Sequence, residues 1–230
     1  MSQQFTRTLL VAALAATVSS VQALELDTVE QKFSYTLGLQ YAQQLKKQGV
    51  EANGAAFGAA IDDLYQGKEL RLTQEQMRDA VKTVRDQLQK KKQEEAAAAL
   101  EAGRQFLAEN KKRSGIVTLP SGLQYLVEKQ GTGKAPGEKA KVTVHYVGTL
   151  IGGKEFDSSF RRKEPATFDL GGVIPGFREA ISKMKTGAKW TIFVPPELGY
   201  GVKGAGATIG PNETLIFDIE LISFEPAAKE

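Results

Sequence analysis

The sequence predicts an α+β protein, in which an all-helical N-terminal module and a long spacer helix precede an antiparallel sheet wrapped on one short helix. Two observations lead to this fold class. Between residues 28 and 88, apolar residues recur every three or four positions, which is the period of a helix, and the stretch from there to residue 113 is rich in good helix formers without proline. From Leu119 onward the period is two, and glycine-rich turns bound each apolar run, as expected of antiparallel strands.

The change of period divides the 230 residues into four segments. We expect a signal peptide at 1–23, a helical dimerisation module at 24–72, a connecting helix at 73–113 and a sheet domain at 114–230. A chain of this length accommodates one large domain or two of modest size.

The first 23 residues have the pattern of a secretory signal. Arg7 supplies a positive start, and the apolar run 9–18 is too short to span a bilayer comfortably. Small residues favour cleavage after Ala23. An uncleaved membrane anchor is the alternative, disfavoured because no basic stop-transfer segment follows. The prediction is a periplasmic protein, with association at the outer membrane or cell surface as a further option.

The N-terminal helices each present an apolar face. In the first helix these residues recur every four positions, and a second helix carries apolar residues three or four positions apart. A third begins at Thr73, a residue type that caps helices well, and carries a narrow apolar seam as far as Leu88. The residues concerned are Phe33, Leu37, Tyr41 and Leu45, then Phe57, Ala60, Ile61 and Leu64, then Met77, Val81, Val84 and Leu88.

A helical bundle of about 65 residues is marginally stable by itself. We therefore predict a homodimer through residues 28–90. The alternative is that these helices fold back on the C-terminal domain of the same chain. The polar, alanine-rich stretch after Leu88 favours the dimer, because it shows no apolar face and is expected to be solvated on most sides.

Composition excludes several function classes. The net charge of +3, from 30 basic and 27 acidic residues, is too small to indicate nucleic acid as a partner. The chain has one histidine, His145, and no cysteine, so zinc sites and nucleophilic pairs built on these residues are not available. Residues 148–154 have the spacing of a phosphate-binding loop, but Glu155 follows where Ser or Thr is required. We predict no metal and no cofactor.

Five aromatic residues stand beside glycines or strand ends in separate segments of the sheet domain. For any one of them, a position in the core is the ordinary explanation. A single acid, Asp157, lies among them. The segments are Val144-His145-Tyr146-Val147-Gly148, Phe156-Asp157-Ser158-Ser159, Val173-Ile174-Pro175-Gly176-Phe177, Leu198-Gly199-Tyr200-Gly201, and Pro211-Asn212-Glu213-Thr214-Leu215-Ile216-Phe217-Asp218.

In this order and spacing the segments resemble the FKBP family of peptidyl-prolyl cis/trans isomerases. The resemblance extends from Leu119 to Phe224 and implies a shallow pocket that accepts a proline ring. Asp157 matches the acid of the family's pocket, and Arg162 matches its arginine partner. The two residues could equally form a salt bridge that only holds the pocket wall. The resemblance assigns catalysis to Asp157, Tyr200 and Tyr146, and substrate binding to Phe156, Arg162, Val173, Ile174, Phe177, Ile209 and Phe217.

Three departures from the family pattern bear on ligands. Phe177 stands where many members have a tryptophan, which keeps an apolar floor but removes the indole N–H. Ala166 stands where some have another phenylalanine, which leaves that wall more open. Between Leu170 and Val173 the chain is shorter than in single-domain members. Macrolide inhibitors of the FKBP class are a further expected ligand, and their affinity is more exposed to these changes than the turnover of small peptides.

The order of signal, helical module, spacer helix and isomerase domain resembles the macrophage infectivity potentiator subgroup of exported bacterial isomerases. This implies a V-shaped homodimer that accelerates X-Pro isomerisation in unfolded or proline-containing exported polypeptides. The pocket would do so by binding the X-Pro amide and favouring its twisted transition state. The alternative function is that of a holdase chaperone, or a proline-binding module with little isomerase activity.

Overall fold

The structure is a computed structural model that describes residues 25–226. The chain divides into two compact units between Gln48 and Gly49. The predicted signal peptide lies outside the described residues, and the four segment boundaries stay predictions. Across the described residues, no helix is long and apolar enough to cross a membrane.

The described part of the first unit is built on one helix, α1, at Val29–Lys47. Thr28 and Gln31 form a capping box: the Thr28 hydroxyl accepts from the Gln31 N–H, and the Gln31 side chain accepts from the Thr28 N–H. No residue of α1 is buried. Phe33 is 63% exposed, so large apolar side chains of this helix lie on the surface of the chain.

The second unit starts with two helices, α2 at Gly54–Tyr65 and α3 at Gln74–Asn110. Thr73 caps α3 with Gln76 as its partner, as the sequence predicts. An ion pair attaches the connection between the helices to α2: the Arg71 guanidinium donates to both carboxylate oxygens of buried Asp63, at 2.6 and 3.1 Å. At 37 residues, α3 is about 55 Å long.

The rest of the second unit is a seven-stranded antiparallel sheet with one short α-helix, α4, at Pro175–Ile181. The strand order is β1-β2-β6-β7-β3-β4, and β5 pairs with β3 outside this path. The predicted fold class is therefore confirmed. The strands are β1 Ile116–Thr118, β2 Gln124–Gln130, β3 Lys141–Leu150, β4 Glu155–Ser158, β5 Ala166–Asp169, β6 Ala188–Val194 and β7 Leu215–Glu225.

The main core includes side chains of α4 and of the inward-facing positions of the sheet. Alternation along β3 buries Val142, Val144 and Tyr146 and leaves the residues between them partly exposed. Ala180 and Ile181 of α4 are fully buried. One side of the sheet is covered in this way. The inward-facing residues near α4 can therefore form a pocket that is open to bulk water on only part of its surface.

The last four turns of α3 pack on the sheet. Phe106 meets Phe193 of β6 at 5.8 Å between ring centroids, and Phe193 is buried although it lies outside the main core. Asn110 is 2% exposed and donates to the side chain of Gln124, which donates in turn to the carbonyl of Leu107. These contacts attach α3 to the strands β2 and β6.

This packing overturns the expectation that the helix beyond Leu88 has no face for the sheet domain, whereas the expectation that it is solvated on most sides agrees with the exposure of most of its residues. The partly or fully buried positions of α3 in this region do recur with the helical period. Hydropathy alone does not show this pattern, because several of the residues that form it are small or polar rather than strongly apolar. The positions are Ala96, Ala99, Leu100, Gly103, Phe106, Leu107 and Asn110.

We expect Gly103→Ala to destabilise the protein, although alanine normally favours a helix. A Cβ at Gly103 would overlap the hydroxyl of Thr214, which is fully buried. The expected loss is about 1–3 kcal/mol of unfolding free energy, measured by urea denaturation.

Thr214→Ala removes the hydroxyl and should restore most of that loss in the double variant, while Thr214→Ala alone serves as the control. Equal losses for Gly103→Ala in the two backgrounds would contradict the steric explanation.

Candidate active site

A cavity of about 490 Å³ lies between the sheet, the start of α4 and the loop that precedes β7. Its volume is in the range of small-ligand sites. The lining is mostly aromatic or aliphatic, with one carboxylate. The lining residues are Tyr146, Phe156, Asp157, Phe168, Gly172, Val173, Ile174, Phe177, Tyr200, Ala205, Gly206, Ala207, Thr208, Ile209 and Phe217.

The aromatic rings of the cavity support one another edge to face. Phe177 stands in the first turn of α4, with its ring centroid 5.3 Å from Phe217 and 6.0 Å from Tyr146. Phe156 of β4 meets Phe217 at 5.5 Å and 85° between planes. Such arrangements hold ring orientation as well as burying apolar area. The aromatic walls are therefore mutually packed before any ligand enters.

A glycine in β3 makes the approach of two of these rings possible. A Cβ at Gly148 would lie 2.5 Å from the ring of Phe156 and 3.0 Å from that of Phe217. Gly148 is paired with Asp157 on one side and Phe217 on the other. A side chain at this position would push the rings apart, so the glycine has a packing reason within a strand.

The polar corner of the cavity is a network of three side chains. The Tyr146 hydroxyl donates to Asp157. The Arg162 guanidinium donates to the Asp157 carboxylate at 2.6 Å and to the Tyr146 oxygen at 3.1 Å, and it lies 5.6 Å from the centre of the Tyr146 ring. The backbone N–H of Ser158 donates to Asp157 at 2.8 Å.

These contacts set the protonation states of the corner. Burial acts to raise the pKa of Asp157, but the hydrogen bonds from Tyr146, Arg162 and the Ser158 backbone outweigh burial and hold that pKa below its usual range. Burial, followed by the hydrogen bond to Asp157, raises the pKa of Tyr146 to about 12. At neutral pH the corner therefore contains an ionised carboxylate and a neutral phenol.

Tyr200 lies at the mouth of the cavity, where it is 39% exposed. Burial and then the charge of Asp157 raise its pKa, so its hydroxyl keeps its proton. Within the described residues this hydroxyl makes no hydrogen bond, and it can donate to a ligand that enters the cavity.

Of the residues assigned from the sequence, all but Arg162 line the cavity. Arg162 lies outside the lining and contacts the cavity through its bonds to Asp157 and Tyr146. Asp157 and its arginine are thus brought together, as are Tyr146 and the aromatic residues.

Sequence reasoning missed part of the lining. Phe168 of β5 packs 5.6 Å from Tyr146 and 6.1 Å from Phe177, on the side where Ala166 was expected to leave the wall open. The alternation of Phe168 with Thr167 extends over a strand of only four residues, which is too short to assign a face from the sequence. Small residues 205–208 were missed because they have no apolar period.

Other candidate motifs lie elsewhere. His145 shares a hydrogen bond with the Ser159 hydroxyl at 3.0 Å and stacks on Phe160 at 4.5 Å, as a residue of β3. Gly153 has φ of 81°, and its N–H donates to the Leu150 carbonyl. The segment 148–154, which has the spacing of a phosphate-binding loop, therefore contains a hairpin turn. Between residues 25 and 226, no group of three potential ligand side chains is placed to hold a metal ion.

The fold and cavity define a class of protein with a small, mostly apolar cavity beside a polar corner. Comparison with known proteins gives the family. Residues 132–222 match the model of the FKBP-type peptidyl-prolyl cis-trans isomerase, and residues 30–127 match the model of the domain amino terminal to it.

Two relatives cover most of the chain. The protein named outer membrane protein MIP of Legionella longbeachae is 41% identical over 220 residues, which is 94% of each chain. The FKBP-type 22 kDa peptidyl-prolyl cis-trans isomerase of Escherichia coli K12 is 41% identical over 197 residues, covering 85% of this chain and 96% of that protein. The crystal structure of FkpA from Escherichia coli matches with a TM-score of 0.65 and 34% identity, covering 88% of this chain and all of that one.

The chain belongs to the FKBP-type peptidyl-prolyl cis-trans isomerases. The isomerase function predicted from the sequence is thereby confirmed over the alternative of a chaperone or proline-binding module with little isomerase activity.

We expect the stabilising contribution of the Asp157 carboxylate to be lost in acid. A carboxyl group whose pKa is lowered in the folded state contributes stability that is fully present above its unfolded pKa, about 3.9. That contribution is lost as the pH falls through the lower folded value. Unfolding free energy, followed by urea denaturation between about pH 6 and about pH 3, should fall more steeply in the wild type than in Asp157→Asn.

Asp169→Asn, at an exposed position of the same domain, controls for the loss of one carboxylate. Parallel pH curves for the wild type and Asp157→Asn would contradict the contribution assigned to the polar corner. Since the corner stays ionised, we expect no titration of Asp157 in the activity profile between about pH 5 and about pH 8.

Proposed function

We propose that the cavity receives the proline ring of an X-Pro peptide and places the preceding amide at the polar corner beside Asp157 and Tyr200. The observation that carries this proposal is the combination of a packed aromatic wall with one charged corner at its edge. An apolar ring and a polar amide joined to it match these two surfaces.

Such a site can accelerate rotation without a covalent step. The planar amide is held by resonance against a barrier of roughly 18–20 kcal/mol, and uncatalysed X-Pro isomerisation is slow. At the twisted midpoint resonance is lost and the carbonyl is less polar. A partly desolvated aromatic pocket therefore disfavours the planar form relative to the twisted one, which is differential binding of the transition state.

Three residues are proposed to act on the amide. Tyr200 donates its hydroxyl to the substrate carbonyl at the mouth of the cavity. Asp157, ionised at neutral pH, interacts with the twisted amide electrostatically. Tyr146 orients Asp157 through their hydrogen bond and contributes its ring to the wall. Arg162 balances the charge of the carboxylate from the rim.

The proline ring is proposed to contact the remaining assigned residues. Phe177 forms the floor, and its position in the first turn of α4 is secured by the buried residues that follow it in that helix. The side walls are the apolar groups Phe156, Val173, Ile174, Ile209 and Phe217, with Phe168 added by the structure.

We further propose that the protein is a homodimer through residues 28–90. Large apolar side chains lie on the protomer surface in this range, and among them Phe33 and Leu37 are at least half exposed in α1. Leu64 and Val81 are exposed in α2 and α3. Apolar area of this extent is unusual on the surface of a monomer and favours burial against a second copy.

The proposed setting is the periplasm, with proline-containing exported polypeptides as substrates. Support comes from the signal pattern in the first 23 residues and from the Legionella relative, which is named an outer membrane protein. A folding helper for exported chains requires no strong charge, in keeping with the net charge of +3.

The first test is cis-to-trans isomerisation of a short X-Pro peptide. We expect Asp157→Ala to lower kcat/KM by at least about tenfold, because the charge, the Tyr146 hydrogen bond and the arginine contact are lost together. Asp169→Ala, which changes a carboxylate on β5, should keep wild-type turnover.

If Asp157→Ala kept the wild-type kcat/KM, the role of Asp157 would be limited to holding the pocket wall in place. Tyr200→Phe, which removes only a hydroxyl, separates the donor proposed for the substrate carbonyl from the packing of the ring.

The dimer is tested by one charge placed on α1. We expect Leu37→Glu to convert a dimer into a monomer in sedimentation velocity, because a carboxylate buried between protomers would be unpaired. Gln43→Glu adds the same charge at a polar position of the same helix and should leave the dimer intact. A monomeric wild type, or a Leu37→Glu variant that stays dimeric, would contradict the proposed interface.

A further inference from the structure

The loop of residues 199–212, which we call the pocket loop, forms one wall of the cavity through Tyr200, Ile209 and the small residues 205–208. The loop is closed on itself. Ala205 and Ile209 exchange two backbone hydrogen bonds, at 2.9 and 3.1 Å, and a Cβ at Gly204 would collide with the backbone of Ile209 and Gly210. The position of the pocket loop at the cavity therefore depends on the contacts that hold its two ends.

Asn212 fastens both ends. Its backbone N–H donates at 2.8 Å to the carbonyl of Gly201, the residue directly after Tyr200. Its side-chain nitrogen donates to the carbonyl of Ala96 in α3 at 3.2 Å. A helical carbonyl has a second lone pair beyond the one used within the helix, so it can accept this bond. One half-buried residue thus links the start of the pocket loop, its end and α3.

The residue type suits this double task. Asn212 has φ of 58°, the left-handed region, where asparagine is enriched among residues other than glycine. Glycine would adopt the conformation but has no side-chain donor. Aspartate would tolerate the conformation but turns an acceptor toward the helix carbonyl. Among residues that adopt this backbone readily, asparagine alone supplies an amide N–H for Ala96.

The same region of α3 is held to the sheet close by. Thr214, two residues after Asn212, packs against Gly103, and Phe106 packs against Phe193. The helix that carries Ala96 is therefore attached to the sheet domain from Gly103 onward, through contacts that do not involve Asn212. An attachment that is itself fixed can hold the loop in place.

We propose that Asn212 is a positioning residue of the isomerase site: its side chain bonds the pocket loop to α3 and so holds Tyr200 and Ile209 at the cavity. The inference rests on the isomerase function and on the role of the loop as a wall of the proline site. It makes the spacer helix a structural part of the active site, and not only a connection to the N-terminal helices.

The test replaces Asn212 in the full chain and measures two properties. Asn212→Gly keeps the left-handed backbone and removes the bond to Ala96. We expect kcat/KM for a short X-Pro peptide to fall about two- to tenfold. The fall should come from a higher KM and not from a lower kcat, because the loop contacts the bound proline in the planar and twisted forms alike. Amide hydrogen exchange of residues 200–211 should become faster. Asn212→Asp, with a like shape and no donor, should do the same.

The matched control is Gln124→Ala. Gln124 also donates to a carbonyl of α3, that of Leu107 at 2.9 Å, but from β2, away from the pocket loop. We expect this variant to lose stability while keeping wild-type kcat/KM and loop exchange, at a temperature where all variants are folded. Wild-type kcat/KM or unchanged loop exchange in both Asn212 variants would overturn the proposal, as would an equal loss of turnover in Gln124→Ala.

A wild-type chain without turnover would refute the isomerase function itself. In that case, unchanged exchange in the Asn212 variants would still overturn the role in holding the loop, and faster exchange restricted to the loop would support that role alone.

Discussion

The backbone hydrogen bonds of β3 hold β4, β5 and β7 in register, and this register determines which side chains meet at the cavity. It places Tyr146 of β3 near Phe168 of β5 and Phe217 of β7. A slip of one residue in any of these pairings would turn the aromatic rings to the other face of the sheet. The site is therefore a consequence of strand pairing before it is a matter of side-chain chemistry.

The polar corner depends on the same pairing and has a different energetic character. A carboxylate at the edge of an aromatic cavity pays a desolvation cost, here offset by a guanidinium, a phenol and a backbone N–H. Because these groups keep Asp157 ionised, it is poorly suited to donate a proton to the amide nitrogen at neutral pH. An electrostatic and orienting role fits the geometry better than general acid catalysis.

Much of this arrangement could be predicted from residue order. The change of period near Leu119 indicated the sheet, and the resemblance of short segments around Tyr146, Asp157 and Phe177 to the FKBP family implied the pocket. The sequence could not reveal Phe168, because a four-residue strand gives too little alternation to assign a face. It also misled about α3, whose contact with the sheet uses alanine, glycine and asparagine. Small and polar residues mark a close approach only when the opposite surface is known.

That close approach makes the last turns of α3 a component of the sheet domain. They are fastened by a buried amide pair, an aromatic contact and a glycine packed on Thr214. The Ala96 carbonyl, which accepts from Asn212, lies at the start of this docked region, and residues 89–95 before it are exposed. The contacts of α3 with the sheet domain therefore begin near Ala96, inside the helix, and the proposed anchor of the pocket loop is the first of them.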